Sequence, residues 1–379
     1  MEIELITTVE HLQAFCTDLA KQNWLVLDTE FIRETTYYPN LCLIQIANDE
    51  RAACIDTLAI DDLSALQKLI YSDSVIKVFH AASQDLEIFF NLYESIPTPI
   101  FDTQIAASAL GYGEQVSYAY LVSEICDVSL DKSLSRTAWD RRPLSKKELQ
   151  YAVDDVIYLA KIYHHLRKKL GQQKRSHWVQ DEFQHLCALE RYKVKPSELW
   201  KSVKGVGKLE SHQLIVLKQL AEWRDQQAIE ENKPRQWILR DKSLRALAIE
   251  QPTNTSALSD IEELSHQQLT TYAKSIFACI QKAQHTPEQE WPDASQTMPL
   301  SREQRKIMKQ ASQLVREKAE ELNIAPTLLA KRSIVEKLLR GQRELHILHD
   351  WRQDLIGNDL VKLFETHSAA EATDQSVAK

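Results

Sequence analysis

The sequence lacks the signatures of several large protein classes. Its six cysteines form no CxxC pair, which argues against a zinc knuckle and against a disulfide framework, and we interpret them as small apolar core residues. No apolar run is long enough to cross a bilayer. The N-terminal segment MEIELITTVEHL has acidic residues where a secretory leader would need a basic start and an apolar stretch. We therefore expect a cytoplasmic protein with no membrane partner.

An excess of positive charge is also missing, because the net charge is −8. The charge is nevertheless distributed unevenly. Residues 1–170 carry 15 Lys and Arg against 25 Asp and Glu, whereas residues 132–175 alone carry 12 basic and 4 acidic side chains. Such a basic stretch is either an ordinary solvated face or a surface that grips a phosphate backbone. Arg141 and Arg142, which lie in it, are candidate contacts to a nucleic acid.

Hydrophobic patterning predicts an α/β domain over residues 1–170. Helices there alternate with predicted strands at 24–31, 41–47, 52–55 and 75–79. The last helix of the domain begins at Ser145, which forms a capping-box pattern with Glu148, and continues to about Leu170.

Beyond residue 170 the strand pattern disappears, and two small all-α domains are predicted. The predicted segments are a helical connector at 171–207, a first helical domain at 208–288, a linker at 289–300, a second helical domain at 301–367 and a disordered tail at 368–379. The sequences ILRDKSL and LLAKRSI, 90 residues apart, share a pattern that weakly indicates a duplicated module.

Five side chains in three short blocks of the α/β domain indicate chemistry. Asp28 and Glu30 are two residues apart on a predicted strand and so point to the same face. Tyr151 and Asp155 are four residues apart on the long helix and share a side of it. Asp85 lies on the first turn of a helix predicted at 83–93. Each position alone has an ordinary explanation: an exposed strand end, a half-buried aromatic ring, or an acid favoured by the helix dipole.

Taken together, the four acids predict a metal site. Clustered carboxylates in a folded core are costly unless they bind a cation or share a proton. Ligand sets of oxygen alone suit Mg²⁺ or Mn²⁺ rather than zinc. Two such ions can activate a water and stabilise the leaving oxygen of a phosphoryl displacement, and a nearby tyrosine can position that water or assist its deprotonation.

These blocks, LVLDTEF, FHAASQDLEIF and QYAVDDVIYLA, resemble the DEDD 3′→5′ exonuclease superfamily. The match is to the subclass with tyrosine in the third motif, since Gln150 stands where the other subclass has histidine. The phrases LCLIQIA at 41–47 and FDTQIAAS at 101–108 are also similar to this family. The resemblance implies a ribonuclease H-like mixed sheet flanked by helices, with the four acids as ligands of two metal ions and the tyrosine orienting water.

Two later stretches, 220–244 and 348–360, resemble HRDC modules, which are small helical nucleic-acid-binding domains. An exonuclease domain followed by two such modules is the layout of the bacterial ribonuclease D family. The resemblance covers nearly the whole chain and implies an enzyme that removes nucleotides hydrolytically from RNA 3′ ends, including those of tRNA precursors. We expect a monomer. Two rival hypotheses are a DNA-directed 3′→5′ exonuclease and an RNA-binding adaptor with a silent site.

Several neighbouring residues have two readings. Phe31 and Arg33 follow the first motif and are candidate contacts to the terminal nucleotide, although Phe31 is equally suited to packing. His80 either lines the site or is a structural histidine. Asp102 is predicted to be a helix N-cap.

The Trp–Arg pairs at 223–224 and 351–352 are predicted to be core aromatics with surface arginines rather than base-stacking platforms.

Overall fold

The structure is a computed structural model that describes residues 3–131, 137–296 and 298–377, without the side chains of 296 and 368–377. The predicted disordered tail at 368–379 lies where the structure describes no side chains, and it stays a prediction.

The strands are β1 Glu4–Ile6, β2 Trp24–Ile32, β3 Asn40–Ala47, β4 Ala52–Asp56, β5 Ile76–Phe79 and β6 Ile100–Asp102. The helices of the first half are α1 Val9–Leu19, α2 Ser64–Ile70, α3 Ser83–Tyr93, α4 Thr103–Ser108, α5 Tyr118–Cys126, α6 Lys146–Gln172 and α7 Ser176–Leu186. Those of the second half are α8 Ser211–Glu230, α9 Arg235–Ile238, α10 Asp241–Glu250, α11 Thr255–Ser259, α12 His266–Gln284, α13 Arg302–Leu322, α14 Pro326–Leu329, α15 Arg332–Leu339 and α16 Asn358–Val377.

The strands form one mixed sheet in the order β1-β4-β3-β2-β5-β6. β1 runs parallel to β4, β3 antiparallel to β4, and β2, β5 and β6 are mutually parallel. The predicted α/β class with a helix-flanked mixed sheet is therefore confirmed. The sequence pattern misses β1 and β6 because three residues are too few for an alternation to be recognised.

The long helix α6 packs on the sheet and positions one side of the site. Its N-terminus is the predicted capping box, in which the Ser145 hydroxyl accepts from the Glu148 amide at 3.3 Å and the Glu148 carboxylate accepts from the Ser145 amide at 2.6 Å. Val153 and Val156 are fully buried in the core that also contains Val26 of β2. The packed stripe fixes the rotation of α6 about its axis.

The chain forms two compact units. The first contains Met1–Ile32, Leu41–Leu189 and Leu300–Lys379, and the second contains Arg33–Asn40 and Glu190–Pro299. The helical region predicted as a separate domain at 301–367 thus packs with the α/β region, and the β2–β3 connection belongs to the helical unit.

A buried arginine joins the late helices of the first unit to α7. Arg352 is 1% exposed, forms ion pairs with Glu182 of α7 and with Asp350, and donates from Nε to the Leu328 carbonyl at 2.8 Å. Next to it, the rings of Trp351 and Trp178 stack at 4.6 Å and 12°. The prediction of a surface arginine is wrong here, because the guanidinium replaces water with two carboxylates and a carbonyl.

The second unit repeats this use of a Trp–Arg pair. Arg224 on α8 is 5% exposed, and donates to the Leu239 carbonyl at 3.0 Å and to Asp241 at 2.8 Å. Trp223 lies edge-on to Tyr272 of α12 at 5.4 Å. Trp351 and Trp223 are both partly buried and pack against the core of their unit. The surface prediction is wrong for both arginines.

The short helices α9–α10 and α14–α15 share one local conformation. Each pair is separated by extended residues, and the helix starts at Arg235 and Asp241 correspond to Pro326 and Arg332. These helix starts are 91 residues apart, so the sequence repeat, which was aligned with a spacing of 90 residues, is shifted by one residue. The burial supports the correction, because Leu247 and its counterpart Leu338 are both 0% exposed.

Among the described helices, none combines the length and the apolar character needed to span a bilayer.

We predict that Arg352→Met lowers the free energy of unfolding by about 3–5 kcal/mol, because two nearly buried carboxylates lose their cation. Lys306→Met is the matched control: it removes an exposed pair with Glu303 and changes that free energy by at most about 0.5 kcal/mol. Urea unfolding of the full chain measures both. Equal losses in the two variants would contradict the structural role of Arg352.

Candidate metal centre

Two acids of the centre come from the C-terminal half of β2. Asp28 and Glu30 alternate with Thr29, so their side chains share one face of the strand. The third acid, Asp155, comes from α6, four residues after Tyr151. One carboxylate oxygen from each of Asp28, Glu30 and Asp155 lies within 4.8 Å of the other two. The structure therefore brings together two blocks that are about 125 residues apart in the sequence.

The fourth acid lies beside this group. Asp85, on the first turn of α3, is 7% exposed, and its Oδ1 accepts from the Thr29 hydroxyl at 2.5 Å. It is outside the set of three mutually close acids. Its charge nevertheless contributes to the raised pKa of Glu30. The Thr29 hydroxyl thus fixes Asp85 next to the β2 acids.

The acids raise one another's pKa values. Burial, and then the charge of Asp155, raises the pKa of Asp28 well above its usual range. Burial, followed by Asp28 and Asp155, raises the pKa of Glu30 to about 9. Burial, followed by Asp154, raises the pKa of Asp155 to about 7. Like charges held close in a poorly solvated site oppose ionisation in this way.

The donor set fits a divalent cation. Among the described residues, no lysine or arginine forms an ion pair with Asp28, Glu30, Asp85 or Asp155. All four candidate ligands are carboxylates, the donors that Mg²⁺ and Mn²⁺ prefer. A cation of charge two would offset the repulsion that raises these pKa values.

Tyr151 lies at the edge of the acids. Burial, and then the charges of Asp155, Glu30 and Asp28, raises the pKa of its hydroxyl. Its ring packs beside the buried indole of Trp139, with centroids 6.2 Å apart and a tilt of 31°. The phenol is therefore placed close to three of the four carboxylates.

Three supporting residues were missed by the sequence reasoning. Thr29 binds Asp85, Trp139 packs against Tyr151, and the Tyr118 hydroxyl donates to the Asp154 carbonyl at 2.8 Å. Tyr118 also has a raised pKa, from burial and then from Asp155. Nothing in the local sequence pattern marks them, because their partners are distant in the chain.

Two of the candidate substrate contacts have structural partners. Both ring nitrogens of His80 are used, Nδ1 with the Thr103 hydroxyl at 3.0 Å and Nε2 with the Val116 carbonyl at 3.1 Å. Arg142 makes two hydrogen bonds to Asp56, at 2.6 and 2.7 Å. These contacts favour the structural reading of His80 and give Arg142 an internal role.

The other candidates differ. The side chain of Arg141 is 65% exposed and pairs with Glu148 at 2.8 Å. Phe31 is half-buried at the end of β2, and Arg33 is exposed in the segment that follows. Their roles in substrate binding stay predictions. Asp102 is the predicted N-cap, since it accepts from the amides of Gln104 and Ile105.

Comparisons with known proteins agree with this geometry. Residues 3–171 match the 3′-5′ exonuclease family, and residues 213–280 match the HRDC domain. The chain is similar to ribonuclease D of Sphingobium indicum, with 36% identity over 95% of this chain and 94% of that protein. It is also similar to ribonuclease D of Pseudomonas paraeruginosa, with 35% identity over 96% and 98%.

Solved structures give the same result. The structure of Escherichia coli RNase D, described as an exoribonuclease involved in structured RNA processing, superposes with a TM-score of 0.88 at 32% identity, covering 97% of this chain and 99% of that one. The catalytic core of RRP6 from Trypanosoma brucei superposes with a TM-score of 0.58 at 25% identity, covering 76% and 81%.

We predict that the stability gained from Mg²⁺ is larger at pH 8.5 than at pH 6. In chelator-treated protein, Glu30 and Asp155 bind protons up to about pH 9 and about pH 7, whereas unfolded carboxyls lose theirs near pH 4. The folded state therefore holds more protons between these limits, and its free energy of unfolding falls as pH rises. Metal binding needs deprotonated ligands and so is favoured at the higher pH.

Thermal unfolding with chelator and with Mg²⁺ at the two pH values measures this difference. Glu30→Gln removes one of the raised groups, so the pH dependence of its chelated form should be shallower. An Mg²⁺ effect that is absent, or equal at both pH values, would contradict the prediction.

Proposed function

The chain belongs to the ribonuclease D family of hydrolytic 3′→5′ exoribonucleases, and from this premise we propose that it matures structured RNAs, tRNA precursors among them, with two divalent ions. The observation that carries the proposal is the convergence of half-buried carboxylates from β2 and α6 within 4.8 Å. The E. coli relative is described as acting in structured RNA processing. We further propose that the chain works as a cytoplasmic monomer.

The acids divide into two sets of ligands. Asp28, Glu30 and Asp155 would hold one ion, since their oxygens are mutually close. Asp85, fixed by Thr29, would hold a second ion together with Asp28. The donor chemistry favours Mg²⁺ or Mn²⁺. When bound, such a pair supplies an activated water and stabilises the charge on the leaving 3′ oxygen.

The protein's own groups orient the reactants. Burial and the nearby carboxylates raise the pKa of the Tyr151 hydroxyl. It is therefore protonated at neutral pH and can donate a hydrogen bond to the attacking water or to the scissile phosphate. Trp139 limits the rotation of the Tyr151 ring. Tyr118 holds the main chain of α6 at Asp154, beside the ligand Asp155. These contacts favour a positioning role for the tyrosine over proton abstraction.

The basic stretch supplies the grip on RNA. Lys161 and Lys168 are exposed on α6, beyond the catalytic end of that helix. Lysine contacts to phosphates add affinity without reading sequence. The enzyme would thus hold many RNAs by their backbone and select them by the accessibility of a 3′ end.

We predict that a tRNA with a labelled 3′ trailer loses mononucleotides from its 3′ end only when Mg²⁺ or Mn²⁺ is present. Asp155→Asn should abolish release, because a ligand charge is lost. Asp154→Asn is the matched control, since its carboxylate bonds Gln150 instead and release should continue. Full release by Asp155→Asn would refute the proposed chemistry. Faster release from a matched DNA overhang would support a DNA-directed enzyme.

We also predict that Tyr151→Phe lowers kcat by about 10²-fold or more, with little change in RNA affinity. The substitution removes one hydroxyl and keeps the packing against Trp139. Single-turnover kinetics and RNA titration separate the two effects. A nearly normal rate would reduce Tyr151 to a packing residue.

A further inference from the structure

One tryptophan of the second unit is exposed without an evident structural need. Trp237 on α9 has 56% of its surface accessible, which is unusual for the largest apolar side chain. At the corresponding position of α14, Leu328 is only 5% exposed. The shared fold of these helices thus accepts an aliphatic residue there and does not require an aromatic ring.

The backbone beneath the ring is firmly held. Ile238 and Leu239, the next two residues, are both fully buried, and the Trp237 amide donates to the Pro234 carbonyl at 2.8 Å. Arg224 and Gln268 hydrogen-bond the carbonyls of Leu239 and Ile238. A ring presented outward from such a base loses little conformational entropy when it binds a partner.

The surroundings of the ring suit a nucleotide. Trp237 lines an open cleft of about 790 Å³ with Arg240, Lys242, Glu262 and Glu263 among its walls. Arg240 and Lys242 are exposed, and neither forms an ion pair within the described ranges. The two cations can contact phosphate, the carboxylates can accept from base amino groups, and the indole face can stack on any base.

We propose that Trp237 is a base-stacking platform for one unpaired nucleotide of the RNA substrate, with Arg240 and Lys242 at its phosphate. The inference rests on the proposed function for its partner, RNA. It differs from the predicted basic grip because it contributes affinity only where the RNA is single-stranded.

The test measures RNA binding by the full chain in the Asp155→Asn background, where no substrate is consumed. Trp237→Leu, which introduces the residue type that α14 carries at the corresponding position, should raise the Kd for a trailer-bearing tRNA about 5- to 100-fold, the range expected for one lost stack. Trp237→Phe should recover most of the affinity. Arg240→Gln and Lys242→Gln should each lower the slope of log Kd against log salt by about one.

An abasic scan of the trailer provides a second readout. One abasic position should cost as much affinity as Trp237→Leu, and the two losses should not add. Unchanged binding by Trp237→Leu, or an equal loss in Trp237→Phe, would overturn the platform, and would point to a protein partner or to packing. If the unmutated protein released no nucleotides, the proposed function would be refuted instead, since RNA binding is measured separately.

Discussion

The gathering of half-buried carboxylates, which removes them from water and sets like charges against one another, is the constraint on which the rest of the structure depends. Asp28 and Glu30 on β2 and Asp155 on α6 are held within 4.8 Å, although burial and the charge of Asp155 raise the pKa values of Asp28 and Glu30. Such an arrangement costs stability, and it persists because the surrounding fold leaves the acids no alternative. The capping box of α6 and its buried valines set the helix rotation, and the pairing of β2 with β5 sets the strand.

The two compact units differ in what they contribute. The α/β region builds the centre, and the late helices of the first unit are anchored to it through Arg352 and Glu182. The helical unit around α8 has its own core and holds the segment Arg33–Asn40 through the Tyr37 hydroxyl, which donates to Asp225 at 2.7 Å. Trp237 extends this division, since it gives the helical unit a means of binding unpaired RNA.

Much of this architecture could be predicted from local patterns. The helix at Ser83–Tyr93 and the strand from Trp24 follow from periodicity, and Asp102 follows from N-cap chemistry. The convergence of the acids could be predicted only when the three motifs were considered together, because each acid alone has an ordinary structural explanation. Contacts that depend on tertiary packing escaped prediction: the burial of Arg352, the 91-residue register of the repeat, and the hydroxyl of Thr29 on Asp85. Glu182 is 170 residues from Arg352 and Asp85 is 56 residues from Thr29, so no local pattern records these contacts.

The central claim is that this carboxylate cluster exists to hold divalent ions beside an RNA terminus. Anomalous diffraction from crystals soaked in Mn²⁺ tests it most directly. The account predicts two peaks, one among the oxygens of Asp28, Glu30 and Asp155 and one between Asp28 and Asp85, roughly 3.5–4 Å apart as in two-metal sites. An empty cluster in Mn²⁺-saturated crystals, with metal bound elsewhere or not at all, would contradict it.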